Sequence, residues 1–302
     1  MLLALAAIWG ASYMFIKIGV RDLSPAMVTW SRVALAAAVI VPVAALRGQL
    51  RMPSGSAPKL ALLGAVQVAA PFLLIAEGEE EISSSLAGIL VASTPLFTAL
   101  LAIRFDQEER SHGKRLMGIG AGLVGVALLL GVDLSGTSAE TLGGAAILLA
   151  SLGYSVGGFI AKHGLGSAPP TGVAAWVMVA ATVFSLPVAI ATVPDAAPGL
   201  GPVAAVGALG VLGTGVAFVI FYDLMARVGP ARTFIVTYLA PAFAVAYGAA
   251  LLDEEVTVAT VAGLVLIVGG SYLAAGGGRQ PPEPVTEEVV VCPPAEEARA
   301  VG

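Results

Sequence analysis

Residues 91–109 read VASTPLFTALLAIRFDQEE, and residues 237–255 read TYLAPAFAVAYGAALLDEE. A shift of 146 positions lays Pro95 on Pro241, Phe97 on Phe243 and the pair Glu108-Glu109 on Glu254-Glu255. Each stretch is an apolar run with a proline in it, closed by acidic residues. Working outward, a shift of 145 or 146 also places Trp9 on Tyr154, Lys17 on Lys162, Gly19 on Gly164, Trp30 on Trp176 and Pro42 on Pro187. It continues through Phe72 on Phe218 and Glu77 on Asp223 to Ser111 on Thr257, Gly118 on Gly263 and Gly125 on Gly270. One coincidence means little, but a constant offset over the whole body marks a duplicated unit.

The solvent of that unit follows from composition. Apolar residues make up 58% of the 302 positions and charged residues 12%, about half the usual charged share of a soluble domain. Only a helix or a closed barrel satisfies its own backbone in hydrocarbon, and a helix needs roughly 20 apolar residues to cross. Ten such blocks can be drawn, at 1–20, 25–46, 59–77, 84–104, 115–132, 142–162, 170–192, 202–222, 231–251 and 258–275. The first block has no basic residue ahead of it and lacks the layout of a cleavable signal, so it is expected to be retained. The expected fold is an all-α membrane protein of ten transmembrane helices in two five-helix repeats, 1–132 and 140–275, with a disordered cytoplasmic tail at 276–302.

Basic residues set the orientation, because they stay on the cytoplasmic side. With the amino end inside, eleven lysines and arginines fall in inner loops, while Arg21 and the helix-end Lys17 face out. Both termini are then cytoplasmic, as an even number of crossings requires. Five crossings per half is an odd number, so the second half enters from the opposite side. Inverted repeats of this kind hold substrate near the midplane at their seam, and transport is the function that geometry suggests. Ser83, Ser84 and Ser85 offer a hydroxyl cap for the fourth helix, Ser111 and Thr257 for the fifth and tenth, and Gly229-Pro230 opens the ninth.

Several short motifs, taken together in order, resemble a known family. Trp9-Gly10-Ala11-Ser12 with Lys17, Thr29-Trp30-Ser31-Arg32, and Thr94-Pro95-Leu96-Phe97 ahead of Glu108-Glu109 look like the drug/metabolite transporter superfamily, EamA-type branch. The resemblance spans residues 1 to about 275. It implies a ten-helix bundle around a central cavity and export or exchange of amino acids or related metabolites by alternating access.

Ionisable side chains within spans are costly and mark function by default. Arg32 is placed to bind a substrate carboxylate or to hold the bundle; its repeat counterpart, Met178, is uncharged. Lys17 and Lys162 sit near span ends, where long side chains also snorkel to the headgroups. Trp9 and Tyr154 occupy matching places, with Ser12 beside Trp9, and form either a substrate clamp or ordinary packing. Gln67 needs a partner for its amide, interhelical or ligand. Pro95 and Pro241 each free a carbonyl, at Val91 and Thr237, with Thr94 and Tyr238 nearby. These are gating kinks or static bends. The substrate-binding set is therefore Trp9, Ser12, Arg32, Tyr154 and Tyr238, and the gating set Thr94, Pro95 and Pro241. Gly118-x-x-x-Gly122 and Gly153-x-x-x-Gly157 permit close helix packing. The outer acidic groups, Glu77 to Glu81 and Asp253 to Glu255, are solvated loop ends or a cation-concentrating vestibule, and the recurring glutamate pairs are a gate latch or loop solvation.

Other classes lack their chemistry. No expected span holds a carboxylate near its middle, which disfavours proton coupling, and no phosphate-binding loop supports ATP hydrolysis. His112 and His163 have no ligand spacing, and Cys292 is alone in the tail. Neither a cofactor, a metal nor enzymatic activity is expected. With a net charge of −5 and no basic stripe, nucleic acid is excluded as a partner. The partners expected are a small-molecule substrate and the lipid bilayer of a bacterial cytoplasmic membrane, with a homodimer left open. A non-transporting scaffold or sensor, and less readily a membrane-embedded enzyme, are the alternatives.

Overall fold

A computed structural model describes residues 1–105, 113–132, 137–165 and 168–275. The expected cap at Ser111, the pair Glu108-Glu109, His112 and the tail lie outside the described residues. Regular secondary structure among the described residues is helical, without strands. In chain order the helices are α1 (Leu2–Gly19), α2 (Pro25–Leu46), α3 (Ala57–Leu63), α4 (Ala70–Glu81), α5 (Ser84–Val91), α6 (Thr94–Phe105) and α7 (Lys114–Val132). They continue with α8 (Ser138–Gly164), α9 (Pro170–Ala191), α10 (Leu200–Ala208), α11 (Ala217–Val228), α12 (Pro230–Thr233), α13 (Ile235–Leu251) and α14 (Val258–Ala274). Two π-helical segments, Gly64–Ala69 and Leu209–Val216, join α3 to α4 and α10 to α11.

Among the described residues, seven helical stretches, one of them α5 and α6 together, are long and apolar enough to cross a membrane, and α13 and α14 are shorter apolar helices. Their outward faces are apolar: Val183, Phe184, Ile190, Leu149, Val261 and Val265 are all exposed. Water does not tolerate such a surface, whereas lipid does.

Local chemistry sets the helix ends. Ser24 caps α2 by accepting from the Met27 amide, with Pro25 at the first helical position. Ser83 caps α5 through the Leu86 amide, and Thr257 caps α14 through Thr260. The third expected block stops at 77, but α4 runs on to Glu81, so Glu79 is helical and completely buried rather than part of a loop. Both π segments fall at equivalent places in the sequence repeat. In the first, Pro71 just beyond it lacks the amide that an α-turn would use. In the second, the Thr214 hydroxyl bonds the Leu209 carbonyl five residues back.

Packing relates the halves. α2 packs along α9 and α7 along α14, while α1 packs on α13 and α8 on α5 and α6. α4 lies against α8, and α10 against α1. The α7–α14 contact is close because a Cβ on Gly270 would fall 2.6 Å from the Gly118 carbonyl and the Gly122 amide. Gly153 and Gly157 serve α8 in the same way, receiving Val66 and Gln67 of the first π segment. Gln67 packs against Gly157 there and makes no side-chain hydrogen bond among the described residues.

The expected kinks differ from one another. Helix α5 ends at Val91 and α6 begins at Thr94, so the chain breaks just before Pro95. The Thr94 hydroxyl donates at 2.8 Å to the Val91 carbonyl that Pro95 leaves without a donor. Ser93 covers the Leu90 carbonyl, Ser271 of α14 the Ala92 carbonyl at 2.7 Å, and Ser155 of α8 the Thr94 carbonyl at 2.9 Å. Three helices thus hold the break. Pro241 by contrast sits inside a continuous α13.

Candidate substrate site and its two closures

One face of α1 carries Trp9, Tyr13 and Lys17 at four-residue spacing, which puts them in a row one turn apart. Each level of the row meets a different group of residues. Trp9 packs on Phe221 at a ring separation of 5.3 Å and on Phe218 at 6.2 Å. Phe221 continues to Tyr222 and Phe234. Aromatic rings from α1, α11 and the α12–α13 junction therefore fill this level.

The middle level is built around Arg32. Its residue is 8% exposed, and its Nε donates to the Thr214 hydroxyl in the second π segment at 2.9 Å. The guanidinium carbon lies 3.6 Å above the Phe72 ring centre, and Phe72 in turn meets Tyr154 edge-on at 6.4 Å. Tyr13, Glu79 and Tyr154 are all within electrostatic range of Arg32. No carboxylate pairs with Arg32, and its terminal Nη groups have no acceptor among the described residues. A cation–π contact is worth about 0.5–2 kcal/mol, less than the several kcal/mol that a desolvated charge costs. The guanidinium is held in place but not neutralised, which suits it to receive an anion.

At the third level Lys17 closes one end of the bundle. Its ammonium donates to the carbonyls of Glu79, of Ile82 at 2.9 Å and of Glu80 at 3.5 Å, covering the last turn of α4. Beside it, the Glu254 carboxylate accepts from the amides of Ser84 and Ser85 at 2.7 and 2.9 Å and from both serine hydroxyls. Together with Ser83, it satisfies three of the orphan amides at the start of α5 and places a negative charge at the positive end of that helix. Gly248 makes room for it, since a Cβ there would collide with the carboxylate and with the Ser85 hydroxyl. At the α2 end, Arg47 and Asp223 form a two-pronged ion pair at 2.8 and 3.1 Å.

The structure thus brings Arg32 and Tyr154 together around Phe72, while Trp9 packs at another level on Phe218 and Phe221. Ser12 is buried against Gly213 and bonds the carbonyl of Ile8 in its own helix. Tyr238 is elsewhere, edge-on to Tyr272 on α14 at 5.9 Å. Two surface crevices of about 220 and 200 Å³ are present, one apolar against α9 and one polar beside Ser83; Trp9, Arg32 and Tyr154 line neither. His163 stacks on Phe159 and bonds its carbonyl through Nδ1 at 3.0 Å.

Three residues of the site, Tyr13, Phe72 and Thr214, were given no role by the sequence reading, and Glu79 outside the site was read only as part of an outer acidic group. Tyr13 carried a usable signal, lying one turn from both Trp9 and Lys17. Phe72 served only to align the repeats. Thr214 and Glu79 take their importance from partners 182 and 62 positions away, which no local pattern reveals.

A helical membrane protein that holds an unneutralised arginine between its helices has a seam able to receive an anion, and comparison with known proteins gives the class. The chain matches the EamA-like transporter family over residues 1–131 and 141–276 and belongs to that family. It is 29% identical to the Escherichia coli (strain K12) protein described as the uncharacterized inner membrane transporter YedA, over 85% of this chain and 83% of that one. A "probable terminal-alkyne amino-acid exporter" of Streptantibioticus cattleyicolor is 29% identical over 77% and 78% of the two chains. A "probable amino-acid metabolite efflux pump" of Escherichia coli (strain K12) is 26% identical over 88% and 90%. A crystal structure 21% identical in sequence superposes with a TM-score of 0.66 over 93% of this chain and 97% of that one, a likeness of fold. The chain is a multi-pass inner membrane transporter.

Proposed function

We propose that the chain exports or exchanges amino acids or closely related carboxylated metabolites by alternating access. Arg32 carries this reading: a buried guanidinium, fixed by Thr214 and Phe72, keeps its terminal donors free for a carboxylate. The names of two relatives point to the same substrate class. On this reading Trp9 and Tyr154 wall the substrate, Ser12 and Tyr238 are secondary, and Thr94, Pro95 and Pro241 belong to the moving parts.

Alternating access needs two halves that exchange roles, so the proposal includes ten crossings in inverted five-helix repeats with both termini cytoplasmic. Three observations support it: the constant sequence offset, paired π segments at matching positions, and packing in which each half repeats the contacts of the other. Lys17 and Glu254 then close the outer end, and Arg47 with Asp223 lies at the inner one.

Counterflow in proteoliposomes tests the reading. Vesicles loaded with a mixture of the common L-amino acids should take up radiolabelled tracer faster than empty vesicles. Arg32→Gln should reduce the rate by about 100-fold, from loss of a charge-assisted bidentate contact of roughly 3 kcal/mol. Arg32→Lys should fall between. Equal rates for wild type and Arg32→Gln would remove Arg32 from the substrate.

A further inference from the structure

Glu79 has no task in the mechanism above, yet its side chain stands out among the described residues. It is 0% exposed, and neither carboxylate oxygen has a hydrogen-bond partner among the described residues. A buried carboxylate left ionised without a partner costs many kcal/mol, and in practice such a group takes up a cation or a proton. We propose that Glu79 is a proton-binding site that couples transport to a transmembrane pH difference, loaded from the end of the bundle closed by Lys17 and Glu254. This rests on the transport reading given above and adds its energy source.

The surroundings select a proton over other cations. Metal ions such as Mg²⁺ or Ca²⁺ need about six oxygen ligands, and no cluster of three acidic, histidine or cysteine side chains exists among the described residues. A substrate ammonium needs space, and Glu79 is closely packed on every side. A proton needs neither.

A route and a coupling device both lie close by. The crevice of about 200 Å³ at this end is lined by Glu81, Ser83, Glu140, Glu255 and Thr257, and its carboxylates raise the local concentration of protons. Lys17 bonds the backbone carbonyl of Glu79 itself, and Glu254 holds the start of α5 only five residues further along the chain. Releasing those two contacts lets water reach the Glu79 side chain. One O–H bond then forms at a Glu79 oxygen as hydronium, reaching it through that water, gives up a proton and becomes water, and the bond breaks to a water on the other side, re-forming hydronium, after the halves change over. No electron transfer is involved.

The charges and titratable groups facing Glu79 are Lys17 and Tyr13 from α1, Arg32 from α2, and Glu254 from the loop ahead of α14. Of the other helices packed on α4, α8 carries Tyr154, which faces Arg32, and the crevice-lining Glu140, and α5 starts with Ser84 and Ser85. On its own helix Glu79 is flanked by Glu77, Glu80 and Glu81. Arg32 is the link to the substrate. Phe72, beneath Arg32, and Glu79 lie seven residues apart on one face of α4, about 10 Å along the axis. A carboxylate arriving at Arg32 removes positive charge from the neighbourhood of Glu79, so substrate and proton affect one another's binding.

The test uses full-length protein in liposomes containing a pH-sensitive dye, with a mixture of the common L-amino acids as probe. At one proton per substrate, a pH difference of one unit should drive about tenfold accumulation of tracer. Glu79→Gln should keep counterflow without a pH difference but lose both accumulation and the dye response. Glu79→Asp, which keeps the carboxylate, should accumulate tracer and guards against a folding defect in the first variant. Infrared spectroscopy of the purified protein should show the carbonyl stretch of a protonated carboxylic acid that Glu79→Gln lacks. Undiminished accumulation by Glu79→Gln, or wild-type counterflow that ignores the pH difference, would overturn the proposal and leave the transport reading intact. Absence of wild-type counterflow would instead strike the transport reading itself.

Discussion

Replacing Glu254 by glutamine tests whether the loop ahead of α14 locks one end of the bundle. The carboxylate accepts from four donors, two amides and two hydroxyls of Ser84 and Ser85. Glutamine keeps one acceptor oxygen but turns an NH₂ group towards the other pair of donors, so two charge-assisted bonds are lost. At about 1.5–3 kcal/mol each, that is roughly 3–6 kcal/mol against the closed arrangement. Water reaching the freed donors returns about 1–2 kcal/mol, leaving roughly 2–4 kcal/mol. The open fraction should therefore rise by about 30- to 700-fold. Cys292 is the single cysteine, so Cys292→Ala gives a silent background. Ala87→Cys then places a thiol at a position of 0% exposure, one turn inside α5. Its rate of reaction with a membrane-impermeant maleimide reports opening at this end. Glu254→Gln should raise that rate in proportion to the open fraction, and Gly248→Ala should raise it too, because the added methyl displaces the same carboxylate. An unchanged rate in both variants would refute the idea that Glu254 is a closing contact.

Two further outcomes follow from the packing. Gly270→Val should lower the melting temperature in detergent, because its Cβ meets backbone atoms of Gly118 and Gly122 at 2.6 Å; overpacking of this kind costs about 1–3 kcal/mol or more. Gly120→Val, where nothing lies within 4 Å, is the matched control and should leave it unchanged. Pro95→Ala should keep the break between α5 and α6 and most of the counterflow rate, because hydroxyls of Ser93, Ser155 and Ser271 hold the neighbouring carbonyls. Loss of flux in Pro95→Ala alone would show that the proline ring, and not the hydroxyls, sets the break.

The helices were legible because hydrocarbon imposes a coarse rule: long apolar runs with charges between them. The offset between Trp9 and Tyr154, or Pro95 and Pro241, needed only the letters. What stayed hidden depends on where helices meet. The five positions after Ala76, four of them glutamate, look like a solvated loop, yet Lys17 arrives from α1 to cover the carbonyls of α4, the helix continues, and Glu79 turns inward. Tyr238 looked equivalent to other aromatic residues by type, but its ring meets Tyr272 on α14. The two prolines looked alike as well, and only the serines of α8 and α14 distinguish a broken α5–α6 from an unbroken α13.

That last difference bears on how a duplicated protein acquires a directed function. Two identical halves would offer a symmetric seam, and a symmetric seam has no preference for which end of a substrate points where. Here the scaffold is repeated: paired π segments, α2 on α9, α7 on α14. The charges are not. Arg32 has Met178 as its counterpart, its partner Thr214 has Val68, and Glu79 faces Lys17 and Arg32 in one half only. On the proposed reading the substrate is an amino acid, itself asymmetric with a carboxylate at one end, and the single arginine at the seam is what would orient it. Placing a second arginine at Met178 should therefore remove the orientation without adding affinity, since two desolvated guanidinium groups at one seam repel each other. Counterflow by Met178→Arg slower than wild type, with normal protein yield, is the expected result; faster counterflow would show that the charge asymmetry is incidental.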